Sequence, residues 1–164
     1  MATWTTAVHD WSSGEKPTAA LMDAQLRDLA NSMGAWGSYT PALSGTGWAI
    51  GNGTAVGYFS QTQKTVRFRG TLTFGSSSTF GGSQAYISYP VTTNANAQVP
   101  LLYVAAYDSS ASTWYRLDYV HASTTTFTPK TVGTLGVMAN VISTSPFTWA
   151  TGDLLYFAGS YEAA

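Results

Sequence analysis

From Lys64 to Phe74 the chain reads KTVRFRGTLTF, and it alternates without a break. Val66, Phe68, Gly70, Leu72 and Phe74 fall on one side of a two-residue period, and Thr65, Arg67, Arg69, Thr71 and Thr73 on the other. Successive strand side chains point to opposite faces, so this pattern predicts a half-buried antiparallel strand with arginine and threonine outward. The stretches YISYPV (86–91), PLLYVAAYD (100–108), STWYRLDYVH (112–121) and LLYFAGSYE (154–162) are further strand candidates. They are rich in the aromatic and branched residues that suit a pleated surface. Asp108 to Ala111 reads as the turn of a hairpin, and the GNG at Gly51 to Gly53 and the TGD at Thr151 to Asp153 mark others. About eight short, closely spaced strands predict an antiparallel β-sandwich or jelly roll over residues 38–164. No internal repeat points to a solenoid or propeller.

Ahead of this β region lies the one stretch with a helical period, KPTAALMDAQLRDLANSMGAWG, Lys16 to Gly37. Thr18 is placed to cap it and Gly34 to end it. Met22, Leu26, Leu29, Met33 and Trp36 are spaced by 4, 3, 4 and 3 residues, a narrow heptad stripe. Such a stripe suits packing against copies of the same helix, whereas a helix lying on a sheet shows a broader apolar face. Both remain open, because a helix this short needs tertiary support of one kind or the other. Residues 1–17 carry Trp4 and Trp11 among Thr, Ser and Gly. They read as an extended arm that docks either on a partner or on its own domain. The predicted organisation is therefore an arm (1–17), a short oligomerisation helix (18–37) and a β head (38–164).

Composition excludes more functions than it suggests. Across 164 residues only 9% are charged, against about 25% in ordinary soluble proteins. Seven Lys and Arg against eight Asp and Glu leave no basic stripe for phosphates, so nucleic acid is set aside as a partner. There is no cysteine, and with it go disulfides, thiolate nucleophiles and Cys-ligated zinc. The opening MATWTTAVHDWSSG lacks the basic and apolar regions of a secretory signal. The longest apolar run, Val99 to Tyr107, is about half of a membrane span, so no membrane role is expected.

Catalytic patterns do not assemble. Of the carboxylates, Asp108, Asp118, Asp153 and Glu162 lie within the β region, and the turn settings of two of them suit backbone bonding better than acid–base work. His9 and His121 belong to no metal-ligand spacing, and no serine sits in a nucleophile elbow. The glycines of GTGWAIGNGTAVG miss dinucleotide spacing and precede no helix. No catalytic residue, metal or cofactor is expected. Aromatic residues are what remain. Most must be core, but Trp114 and Tyr115, with Arg116 and Asp118 as polar neighbours, form a candidate ligand-binding group of a lectin-like kind.

Five stretches taken in order, ATWTT (2–6), TAALMDAQLRDLANSMGAW (18–36), YTPALSG (39–45), GNGTAVGYFSQTQKTVRFRGTLTFGSSSTFGG (51–82) and SPFTWATGDLLYFAGSYEA (145–163), resemble a known pattern. It is that of small tail-fibre, head-fibre and minor tail proteins of tailed bacteriophages, particularly phages of actinobacteria. The resemblance implies a virion structural protein on the surface of the head or tail, made in the host cytoplasm without a signal peptide. It further implies a homotrimer with Met22, Leu26, Leu29 and Met33 along a threefold seam. The arm bearing Trp4 and Trp11 would fasten to other virion proteins, and the β head would project towards host-surface glycans. Two readings compete with it: a monomeric carbohydrate-binding module, and a depolymerase.

Overall fold

The computed structural model describes residues 13–14, 16, 18–20, 22–23, 26, 35–96, 101–133 and 135–164. They form a mainly β, antiparallel architecture of ten strands. In chain order these are β1 (Gly37–Tyr39), β2 (Leu43–Ser44), β3 (Thr54–Thr62), β4 (Thr65–Thr73), β5 (Tyr86–Ser88), β6 (Leu101–Asp108), β7 (Thr113–Ser123), β8 (Thr126–Val132), β9 (Met138–Asn140) and β10 (Leu154–Glu162). Hydrogen bonding runs β1-β3-β4-β10-β6-β7-β8-β5-β2, and β9 adds to β8.

The Lys64 to Phe74 pattern is β4, and its period of two holds. Val66, Phe68 and Leu72 are buried, while Arg67 and Arg69 are exposed. Phe68 lies at the centre, its ring meeting Tyr161 at 5.4 Å, Tyr89 at 5.8 Å, Phe157 at 6.1 Å and Phe127 at 6.2 Å between centroids. Most of these contacts are edge-on, the arrangement that ring quadrupoles favour. Phe127 belongs to β8, four strands away from β4 along the hydrogen-bonded path. That contact requires the sheet to curl until its two halves face each other.

The strand count predicted a sandwich of two sheets; the chain instead forms one continuous path curled into a half-barrel. The physical reason lies in β7. Its first half, Thr113 to Leu117, pairs with β6, and its second half, Asp118 to Ser123, pairs with β8 with a register shift between His121 and Ser123. A strand that changes partners midway turns a corner without breaking the sheet.

Close approach at two glycines shapes the other half. Gly57 and Gly70 face each other across β3 and β4, with Tyr39 of β1 beyond one and Phe157 of β10 beyond the other. A Cβ at Gly57 would meet the Tyr39 ring, and one at Gly70 would meet the Phe157 ring. The flanking rings therefore fold over the bare backbone, filling the space that two side chains would have taken.

A second aromatic group closes one end of the core. Trp149 packs on Phe147 at 4.6 Å, on Phe74 at 5.2 Å and on Trp48 at 6.3 Å. Each indole N–H reaches a backbone carbonyl, Trp48 to Ser83 at 2.6 Å and Trp149 to Ser145 at 3.2 Å. Burying these rings is therefore not opposed by a stranded donor.

Within the predicted helix, Ala19, Ala20, Met22, Asp23 and Leu26 are helical, and the Met22 N–H donates to the Thr18 carbonyl at 3.0 Å. Met22 and Leu26 are 40% and 58% exposed, and Trp36 is 46% exposed. Leu29 and Met33 of the seam, and Trp4 and Trp11 of the arm, lie outside the described residues.

Candidate binding site

Inter-strand register assembles the outer face of the sheet row by row. One row runs Tyr58, Arg69, Ala158, Tyr103 across β3, β4, β10 and β6. The next runs Val56, Thr71, Tyr156, Ala105, Arg116 and ends on β7. A third ends in Leu154, Tyr107 and Trp114. Large side chains thus stand on both sides of the small residues Ala105 and Ala158. The result is a trough of about 600 Å³, walled by Val56, Tyr58, Arg69, Tyr103, Trp114 and Tyr156 and floored by the alanines and the backbone of Gly70.

The walls are aromatic and partly pre-packed. Trp114 lies 4.9 Å from Tyr107 and 5.3 Å from Tyr156 between ring centroids, yet 57% of it remains exposed. Arg69 extends between two rings, its guanidinium carbon 4.9 Å from the Trp36 centroid and 5.6 Å from that of Tyr58. Such cation–π contacts are worth about 0.5–1 kcal/mol at an exposed site. They hold the guanidinium in place without using its N–H groups. Among the described residues, no carboxylate pairs with Arg69.

Alternation along β7 divides the four residues predicted as a ligand group. Trp114, Arg116 and Asp118 share the outer parity, and Trp114 lines the trough. Tyr115 has the opposite parity: it is registered with buried Ala106 and its ring packs on Phe147 at 4.9 Å. It therefore belongs with the core aromatics, a correction that follows directly from the strand period. Asp118 accepts the Tyr119 N–H at 2.8 Å and stands opposite Lys130 on β8, one row beyond Arg116.

Tyr58, Arg69, Tyr103 and Tyr156 complete the trough, and none of them belongs to the ligand group expected from the sequence. Tyr103 and Tyr156 sit inside runs that are apolar on both faces, PLLYVAAYD and LLYFAGSYE. That double-sided apolarity was the available signal. In a strand with one solvated face it means that the outward face is itself apolar.

Two carboxylates of the β region, Asp108 and Asp153, are engaged in turns. Asp108 accepts the Ser110 hydroxyl at 2.7 Å and the N–H groups of Ser110 at 2.9 Å and Ala111 at 3.1 Å. The Ser110 hydroxyl, then these amides, hold its carboxyl below the usual carboxylate range. Asp153 accepts the Ser109 hydroxyl and N–H, both at 2.9 Å, and the Ala150 N–H at 2.6 Å. It thereby ties the β6–β7 turn to the entry of β10. Among the described residues no three His, Asp or Glu side chains are grouped to hold a metal ion. His121 Nδ1 lies 3.1 Å from the Tyr89 hydroxyl, inside the fold. Among the described residues no helix is long and apolar enough to cross a membrane.

Comparison with known proteins adds no assignment: no protein-family model, no curated protein and no solved structure matches this chain.

Proposed function

We propose that this chain is a structural protein of a bacteriophage virion, a short trimeric spike or fibre of the head or tail surface that acts without catalysis. On this reading its N-terminal segment assembles and anchors it, and its β domain is presented outward. The observation that carries the reading is the exposure of Met22, Leu26 and Trp36 in a single chain whose β domain has closed over its own core. Met22 and Leu26 leave apolar surface exposed at heptad spacing, which sister copies with the same period would cover, while Trp36 also rests against Arg69 of β4. The five-stretch resemblance supports the same reading. Three copies would also multiply any weak contact made by the β domain.

Light scattering on the full chain is expected to give three chain masses, and a single chain mass at micromolar concentration overturns the trimer. Replacing Leu26 and Leu29 by Ser is expected to dissociate it; an unchanged mass refutes the seam.

A second reading, a carbohydrate-binding module, is favoured by the trough between Tyr58 and Trp114. It requires that a chain beginning at Ser38 remain folded and monomeric and still retain a glycan.

A further inference from the structure

We propose that the trough on the outer sheet face binds an acidic saccharide, with Trp114 as its stacking platform and Arg69 as its anion contact. The proposal rests on the binding reading of this face and is independent of the trimer.

Three properties of the trough select the ligand. First, its shape: Trp114 and Tyr103, each 57% exposed, and Tyr58 stand around a floor of Ala105, Ala158 and the Gly70 backbone. A pyranose offers flat C–H faces that pack on such rings, and the methyl floor leaves depth for one. Second, its polar groups are free. The hydroxyls of Tyr58, Tyr103, Tyr156 and Thr71 and the indole N–H of Trp114 make no hydrogen bond among the described residues. These donors and acceptors lie along otherwise apolar walls, where they can meet the hydroxyls around a sugar ring.

Third, its charge. Among the described residues no carboxylate lines the trough and none pairs with Arg69, and Arg67 and Arg116 are exposed on the same face. An aromatic site with this sign disfavours cationic ligands, which rings alone would otherwise attract. A wholly apolar occupant would strip water from Arg69 without replacing it. A second copy meeting this face with its own would set arginines against arginines. A carboxylate or phosphate on a sugar instead accepts the planar N–H edge that the Trp36 and Tyr58 contacts leave unused.

The test uses the full chain and four probes, with binding followed by tryptophan fluorescence and titration calorimetry. The probes are tetragalacturonate, a phosphate-bearing mannose oligosaccharide, neutral galactotetraose and a polyproline peptide. At least one acidic saccharide is expected to bind about tenfold or more tighter than the neutral one, and to weaken as salt is raised. The uronate and phosphate arms identify which anion is preferred. Arg69→Gln is expected to abolish that preference, and Trp114→Ala to weaken binding of the acidic saccharide by about tenfold or more. Tyr103→Ala serves as a second wall variant, and circular dichroism checks that each variant is folded. Equal affinity for acidic and neutral sugars, no binding of any saccharide, preferred binding of polyproline, or binding unchanged in folded Arg69→Gln and Trp114→Ala each overturns the proposal. Mass measured on the same samples keeps the outcome separate from assembly: loss of the trimer with binding retained per chain refutes only the seam.

Discussion

Two tyrosines with similar surroundings differ in the one atom that matters. The Tyr161 hydroxyl donates to the Val91 carbonyl at 2.7 Å and accepts the Val91 N–H at 3.0 Å, pinning the segment after β5 to the centre of the sheet. The Tyr39 hydroxyl is buried with no hydrogen-bond partner among the described residues. Tyr161→Phe is therefore expected to destabilise the fold by about 1–3 kcal/mol, because it orphans two backbone groups. Tyr39→Phe keeps the ring over Gly57 and removes only an unsatisfied hydroxyl, so it is expected to be neutral or stabilising by about 1 kcal/mol. Urea denaturation of both variants checks the pair, and equal losses would contradict it. The same burial acts on titration. It pushes the Tyr161 hydroxyl up to about 12, and it raises Tyr39 and Tyr89 as well, with neighbouring tyrosines adding to the shift in both. A folded pKa above the unfolded value near 10 means that the unfolded chain releases its proton first. Stability from these groups is complete below about pH 10 and is lost as pH rises towards and past about 12. Melting temperature measured against pH is expected to fall across that window, together with a late, cooperative rise in tyrosinate absorbance.

At the scale of elements, curvature is the property that local sequence hides. Strands β4 and β10 are legible because each fills a run of nine residues, with turn chemistry at Thr151 to Asp153 marking the start of β10. The turn at Asp108 to Ala111 is equally legible, because an Asp in that position bonds its own following amides. What cannot be read locally is pairing. β7 is joined to β6 and β8 by short turns, but the point along it where pairing passes from one to the other leaves no local mark, and the expected sandwich follows from counting strands without that knowledge. The trough is hidden for the same reason: its rows cross up to five strands, and only the register brings Tyr58, Arg69 and Tyr103 together. Of the ligand group read from the sequence, Trp114 lies in the trough, Arg116 and Asp118 lie on its face, and Tyr115 lies with the core. Gly57 and Gly70 test whether the curl is built in. A Cβ at Gly70 must displace the Phe157 ring, which is buried against Phe68 and Phe127 and has no room to move. Gly70→Ala is expected to cost about 1–3 kcal/mol, although alanine favours strand more than glycine does. Thermal melting of that single variant decides the matter, and a gain in stability would mean that Phe157 is free to yield.

At the scale of the whole molecule, the strand nearest the C-terminus occupies the middle of the sheet. β10 pairs along its full length with β4 and, from Leu154 to Ser160, with β6. It also supplies Leu155, Phe157 and Tyr161 to the core. Neither pairing is a hairpin, so both close over long stretches of chain and contribute only when most of the fold is present. Without β10, the β1-β3-β4 unit and the strands from β6 to β9 share no strand pairing among the described residues, and the rings around Phe68 lose two members. Deleting residues 154–164 is therefore expected to abolish cooperative unfolding altogether. Deleting residues 1–34 removes none of the ten described strands and retains the Trp36–Arg69 contact. If Met22 and Leu26 serve sister chains, that second deletion shifts the melting temperature of the dissociated chain by less than about 5 °C while reducing the mass to a single chain. If the N-terminal segment packs instead on its own sheet, melting falls steeply and the mass does not change. Circular dichroism melts and light scattering on the same two truncated chains thus separate a scaffold completed by its last strand from an assembly device joined to its first.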